Sequence, residues 1–403
     1  MTQRRRYFGS LLLMGILLCL LLAACGTDPT AIPSSGGATS GQTTGAKSGL
    51  QPLVGANGQI TVVAPPATGQ KVPGIFFWVK ENNIWESGDG VPGVPPVTSK
   101  DLGGKQLTQA TALALAKAPA LSPDGTKLAY AYSPEPEGSA GNLVIGQDIY
   151  LMDLKSGSSS ILIKRDDPRT FLDNPAWSKD GKYIFFDSRV PKQDASNGII
   201  GETVSINRYD MATQQREKLL EDAREAEPMP DGKQVAFIAV GASTGTYDTS
   251  LKLLDLSTKQ VTKLATSDDG FATVYHPVPS PDGQLIAFAG AGGPDLNFNV
   301  TPTPKTSLSL PGSPLGMTAL LWSPFKAPAA HGLPFDVWII KPDGSGLKRL
   351  TTLFEDQPMA AWSKDGKKML FLAGQGFYMV NADGSNLVKI SDQGAHSGFE
   401  WRD

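Results

Sequence analysis

Few residues in this chain have the types and spacing that chemistry needs. Gly241-Ala242-Ser243-Thr244-Gly245 has the Gly-x-Ser-x-Gly spacing of a nucleophile elbow. An elbow works because a strand-to-helix turn lifts the serine hydroxyl into the open. Here the motif falls between two stretches that read as strands, so a plain loop is expected. The three histidines are His276, His331 and His396, and no two share a metal-ligand spacing. His276 and His396 fall near the start of strands, and His331 falls in an insertion, so turn or capping roles are expected. Asp268-Asp269-Gly270 lacks the spaced acids of a calcium loop. Gly41, Gly45, Lys47 and Ser48 have the wrong spacing for a phosphate loop, with no strand in front. The sequence therefore assigns no catalytic residue, no metal and no cofactor.

The only cysteines are Cys19 and Cys25, so the body has no disulfide and no thiolate metal site. Arg4, Arg5 and Arg6 precede an apolar run from Leu11 to Ala24 that is too short to span a bilayer but suits a signal-peptide core. The run closes Leu22-Ala23-Ala24-Cys25-Gly26. This resembles the lipobox of bacterial lipoproteins. The resemblance implies cleavage after residue 24, acylation of Cys25 (diacylglyceryl, with palmitate among the chains) and export to the outer face of a bacterial membrane in the cell envelope. Arg4-Arg5 also loosely resembles a twin-arginine signal. Loss of Arg4, Arg5 and Arg6 takes the net charge from -3 to about -6, which argues against docking onto anionic lipid. Residues 25–70 are rich in Ser, Thr, Gly, Pro and Ala, and a flexible tether is expected there.

About 40% of residues are apolar and 19% charged, as in an ordinary globular body. No basic stripe stands out, so nucleic acid is not an expected partner. The main signal beyond residue 70 is repetition. Asp124-Gly125, Asp180-Gly181, Asp231-Gly232, Asp282-Gly283 and Asp365-Gly366 each follow Pro or Lys and precede a short apolar strand, such as Tyr183 to Phe186. Asp-Gly between apolar runs marks a hairpin, because glycine accepts the positive φ such turns need. A second strand follows in each unit (Ile149 to Met152, for example), then a turn, then a closing strand such as Ile161 to Ile163. Gly74 to Trp85 reads as two middle strands and Lys105 to Thr108 as an outer strand, with no inner strand of its own. Gly398 to Asp403 reads as the missing one.

The expected fold is therefore all-β. It is a six-bladed propeller of four-stranded antiparallel blades over residues 71–403, with the N-terminal blade completed by the C-terminal strand. The Trp-Ser-Pro/Lys-Asp-Gly-Lys grammar resembles the TolB-like, WD40-like propeller repeat. Leu121, Pro228 and Pro279 replace its tryptophan in three units. The same repeats occur in propellers of prolyl-oligopeptidase-type peptidases, whose hydrolase domain is not expected here.

Trp177, Trp362 and Trp401 recur with the repeat and read as packing residues. The connections between second and third strands read as long in four units: Ser133 to Gln147, Arg189 to Thr203, Val240 to Thr249, and an insertion at 291–335. Long loops on a rigid scaffold are where binding concentrates. Tyr247, Trp322 and Phe325 are the candidate contacts. The function these readings imply is a monomeric, non-enzymatic binding module, held to a membrane through Cys25 and meeting an envelope protein, peptide or small ligand. A hydrolase or lyase working in the central channel is the alternative. It is disfavoured because the inner strands read as rich in Pro and Ala, with few acids or histidines.

Overall fold

The computed structural model describes residues 71–136, 145–193, 199–241, 249–294 and 335–403. Among these, the chain forms six four-stranded antiparallel sheets and one short 3-10 turn, Ser267–Asp269. The sheets follow one another around a closed ring, as expected. From the axis outward, blade 1 contains Phe399–Arg402, Ile75–Lys80, Asn83–Ser87 and Lys105–Gln106. Blade 2 contains Leu115–Leu121, Lys127–Ser133, Asp148–Asp153 and Ser159–Ile163. Blade 3 runs Phe171–Trp177, Tyr183–Gln193, Ile199–Asp210 and Arg216–Glu221. Blade 4 runs Ala223–Pro228, Gln234–Val240, Thr249–Asp255 and Val261–Ala265. Blade 5 is made of Phe271–Pro279, Ile286–Gly292, Phe335–Ile340 and Lys348–Arg349. Blade 6 is made of Met359–Trp362, Lys368–Ala373, Gly376–Asn381 and Val388–Ser391.

Blade 1 is assembled from both ends of the described chain. Phe76 lies opposite Trp401, and Phe77 opposite Glu400. The Trp401 indole N–H donates to the Pro73 carbonyl at 2.8 Å. The repeat tryptophans do similar work elsewhere: Trp177 reaches the Ala120 carbonyl of blade 2, and Trp362 reaches the Val278 carbonyl of blade 5. They are staples as well as filler.

The core lies between blades, because a single four-stranded sheet cannot bury its own faces. Phe76, Trp78 and Trp401 of blade 1 pack with Leu370, Leu372 and Phe377 of blade 6. Met229 and Leu253 of blade 4 pack with Phe271, Phe288 and Trp338 of blade 5. Equivalent apolar clusters fill the remaining joints.

Every blade has a turn end and a loop end. At the turn end the Asp-Gly hairpins are near copies, with φ between +69° and +71° at Gly125, Gly181, Gly232, Gly283 and Gly366. At the loop end the connections differ sharply. Blade 1 needs only Glu81 and Asn82 between its second and third strands, whereas blade 5 leaves residues 293–334 between them. One expectation fails here. Arg189 to Thr203 was expected to be loop, but most of it is strand: Val190 pairs with Thr203 and Pro191 with Glu202. This ribbon stands beyond its neighbours in the sheet, so water meets both faces and no apolar alternation marks it.

Candidate functional site

The inner strands carry the unexpected feature. Six residues before the turn aspartate, Ala118, Asn174, Glu225 and His276 all have φ between +47° and +53°. Each sits at a break in register between inner and second strand. Non-glycine residues adopt this conformation only where the surroundings impose it. In three of the four blades the following residue is Pro119, Pro175 or Pro277. The bulge swings one backbone N–H out of the ladder, and each is accepted by a new oxygen. Ala118 donates to the Ser397 carbonyl at 2.7 Å. Asn174 donates to its neighbour Asp173. Glu225 donates to both carboxyl oxygens of Asp187 at 2.9 and 3.0 Å. His276 donates to Glu225 Oε2 at 2.6 Å.

These groups form a polar belt that crosses blade joints. Lys117 of blade 2 pairs with Asp173 of blade 3 at 2.6 Å, and Arg189 approaches the same oxygen at 3.5 Å. Asn174 Nδ2 donates to Asp187 at 2.7 Å. Asp187 of blade 3 holds the bulge of blade 4, and Glu225 of blade 4 holds the bulge of blade 5. The His276 ring lies 3.4 Å from Glu225, and the Arg224 guanidinium lies over Tyr275 at 4.7 Å.

Two further carboxyls enter from opposite sides of the ring. Glu227 of blade 4 and Glu400 of blade 1 share one register, each just before the repeat-tryptophan position. Blades 2, 3, 5 and 6 place Ala120, Ala176, Val278 and Ala361 there. Burial pushes Glu400 up to about 8. Burial raises Glu227 well above the usual carboxylate range, and the negative charges of Glu400, Asp187 and Glu225 add to it. Burial also raises Asp187 to about 8, against the opposing pull of its N–H donors from Glu225 and Asn174. For each of the three, loss of solvent favours the neutral form of the carboxyl.

The inner strands are thus richer in ionisable groups than their sequences suggest, which corrects the expectation above. Single acids inside Pro/Ala-rich strands carry no periodic signal. The position six before each turn aspartate would have revealed Asn174, Glu225 and His276 together. His276 is brought to Glu225 rather than to a plain turn. His396, in the connection from blade 6 to blade 1, lies 3.7 Å from the buried Asp356. Among the described residues no three His, Cys, Asp or Glu side chains are grouped as a metal ion would require. A cleft of about 350 Å³ lies elsewhere, at the turn end of blades 4 and 5, lined by Asp231, Asp282 and Asp343. Each of those carboxylates is engaged by its own turn. Cys25, Tyr247, Trp322, Phe325, Ser243 and His331 lie outside the described residues, and Gly241 directly follows the second strand of blade 4.

No family model matches the chain, and no curated protein does. Solved structures do share the fold. TolB from Acinetobacter baumannii superposes with a TM-score of 0.52 at 17% identity, over 83% of this chain and 68% of that one. A chain of a nidogen/laminin complex gives 0.50 at 11% identity, over 81% and 97%. Oligogalacturonate lyase from Vibrio parahaemolyticus gives 0.44 at 12% identity, over 77% and 71%. At these identities the likeness is one of fold.

Proposed function

We propose that this chain is a membrane-anchored, non-enzymatic propeller lipoprotein of the cell envelope that presents its loop end to a protein or peptide partner. The observation that carries the reading is the contrast in one ring between uniform turns and divergent loop-end connections. Five blades are locked by one repeated turn, while the opposite end varies in length, charge and apolar exposure. There Leu113 is 64%, Ile145 42% and Val190 40% exposed, on neighbouring connections of blades 1 to 3. A rigid ring with one variable end is the arrangement in which loops recognise partners. The TolB-like fold agrees, as does a similar ring solved in a nidogen/laminin complex. Leu22-Ala23-Ala24-Cys25 supplies the anchor.

Photo-crosslinking amino acids placed at Leu113, Val190 and Trp322, and at Lys155 and Lys233 as turn-end controls, test the binding face in intact cells. Discrete adducts from the first set alone are expected. Equal adducts from both sets would remove the assignment. Palmitate incorporation lost in Cys25→Ser is the expected result for the anchor.

One observation favours a second reading, a hydrolase or lyase using the channel: Glu227 and Glu400 stand on inner strands of opposite blades, both with raised pKa, and Glu225, two residues before Glu227, carries His276. Turnover of a peptide or glycoside panel that Glu400→Gln abolishes would put this reading first.

A further inference from the structure

The chain joins its ring at one end only. The first described residues, Lys71 and Val72, lead into Ile75, which pairs with Arg402. Arg402 marks the turn end of the inner strand: its guanidinium lies where a side chain on Gly125, in the blade 2 turn, would stand. The main chain is fixed there as well, by Asp89 N–H to the Val72 carbonyl at 3.0 Å and Gly90 N–H to the Gly74 carbonyl at 2.8 Å. Whatever path residues 25–70 take, they leave from the turn end.

Acid pairs are gathered at the other end. Three successive blade connections at the loop end carry exposed acid pairs: Asp166-Asp167, Glu221-Asp222 and Asp268-Asp269. The turns carry exposed Lys127, Lys155, Lys233, Lys259 and Lys367. The same turns carry ionised aspartates beside these lysines, so the turn end is mixed in charge. Asp124, Asp180, Asp282 and Asp365 are each held by a serine hydroxyl and a turn N–H.

On the reading that Cys25 is the membrane anchor, we propose that the turn end of the ring is its membrane-proximal face, and that the acidic loop end points away from the bilayer. Two forces act in one direction. A coil of the length of residues 25–70 reaches on the order of 40 Å, so turning the loop end toward the membrane stretches it around the ring. An anionic leaflet repels the acid pairs of the loop end, whereas at the turn end lysines and aspartates offset one another. The negative net charge averages over this division and hides it. The partner-binding surface is consequently held out into the aqueous compartment.

The test uses the mature chain, residues 25–403, whose one thiol is Cys25. It is coupled through that thiol to maleimide lipid in phosphatidylglycerol/phosphatidylcholine vesicles. A fluorescent amino acid replaces Lys155 or Lys259 at the turn end, and Asp167 or Asp268 at the loop end. Energy transfer to a rhodamine-labelled lipid is then read for each. Transfer from the turn positions is expected to be about twofold higher, since the ends lie about one strand length, roughly 20 Å, apart. Equal transfer, or higher transfer from the loop positions, would overturn the orientation. The chemical coupling makes this result independent of whether cells acylate Cys25, which palmitate labelling decides separately.

Discussion

The turns of this ring and its interior use the same acidic side chains in opposite ways. At the turn end, Asp124 and Asp180 are solvated, and a serine hydroxyl followed by backbone N–H donors holds each down to about 2. Their partners lie within a few residues, so each turn is complete in itself. Inside the ring, Asp187 and Asp336 are buried, Glu227 and Glu400 stand half-buried on inner strands, and loss of solvent raises the pKa of all four. Where these acids have partners, many come from another blade or from a distant connection. A repeated motif can be satisfied locally and copied. A site shared between blades is satisfied once, at one joint, and cannot be copied around the ring.

The contrast can be broken most forcefully at Asp336. This carboxylate accepts the Thr351 hydroxyl at 2.8 Å and the Leu353 N–H at 2.7 Å, and pairs with Arg349. Asp336→Ala strands a buried guanidinium, and a loss of about 3–5 kcal/mol in urea unfolding is expected. A loss below about 1 kcal/mol would mean that the buried carboxyl is not the fastening it looks like.

A smaller effect is expected at Glu400, and its sign is fixed by linkage. The folded state keeps its proton up to about 8, whereas the unfolded chain releases it near 4.5. The folded state then binds more protons between those values, so stability falls as pH rises through that window and levels off above it. Glu400→Gln should flatten this part of the profile and raise stability at pH 8, by an amount on the order of a few kcal/mol. Thermal melts from pH 5 to 9 measure it, and a variant that follows the wild-type slope would show that Glu400 is not enclosed in neutral form.

The smallest effect belongs to the turn end. Ser178→Ala removes one hydroxyl bond to Asp180 and one acceptor for the Tyr183 N–H, at a cost of about 1 kcal/mol. The change should stay within blade 3 when amide exchange is mapped. Deprotection spreading to blades 2 and 4 would contradict the local character of the turn.

These differences also explain what was legible beforehand. Asp-Gly followed by an apolar run is a short-range signal that one turn satisfies, so blades, strand order and closure by Trp401 could all be read. The ribbon containing Val190 and Thr203 was not legible, because no apolar alternation runs through Arg189, Val190, Pro191 and Lys192. Glu225 and His276 were missed for a related reason. Their roles depend on a bulge, and the bulge shows only when blades are compared at one register. Glu227 and Glu400 lie far apart in sequence, and only closure of the ring brings the charge of one within reach of the other.

Pairing Ile75–Lys80 with Phe399–Arg402 also sets the order of events as the protein is made. Five blades can condense as they emerge, but the first waits for residues synthesised more than three hundred positions later. Until then Phe76 and Trp78 flank an unfinished arc, offering an adhesive seam to any other nascent chain. Protecting that seam between the first and last strands is the hazard of biogenesis that this topology creates.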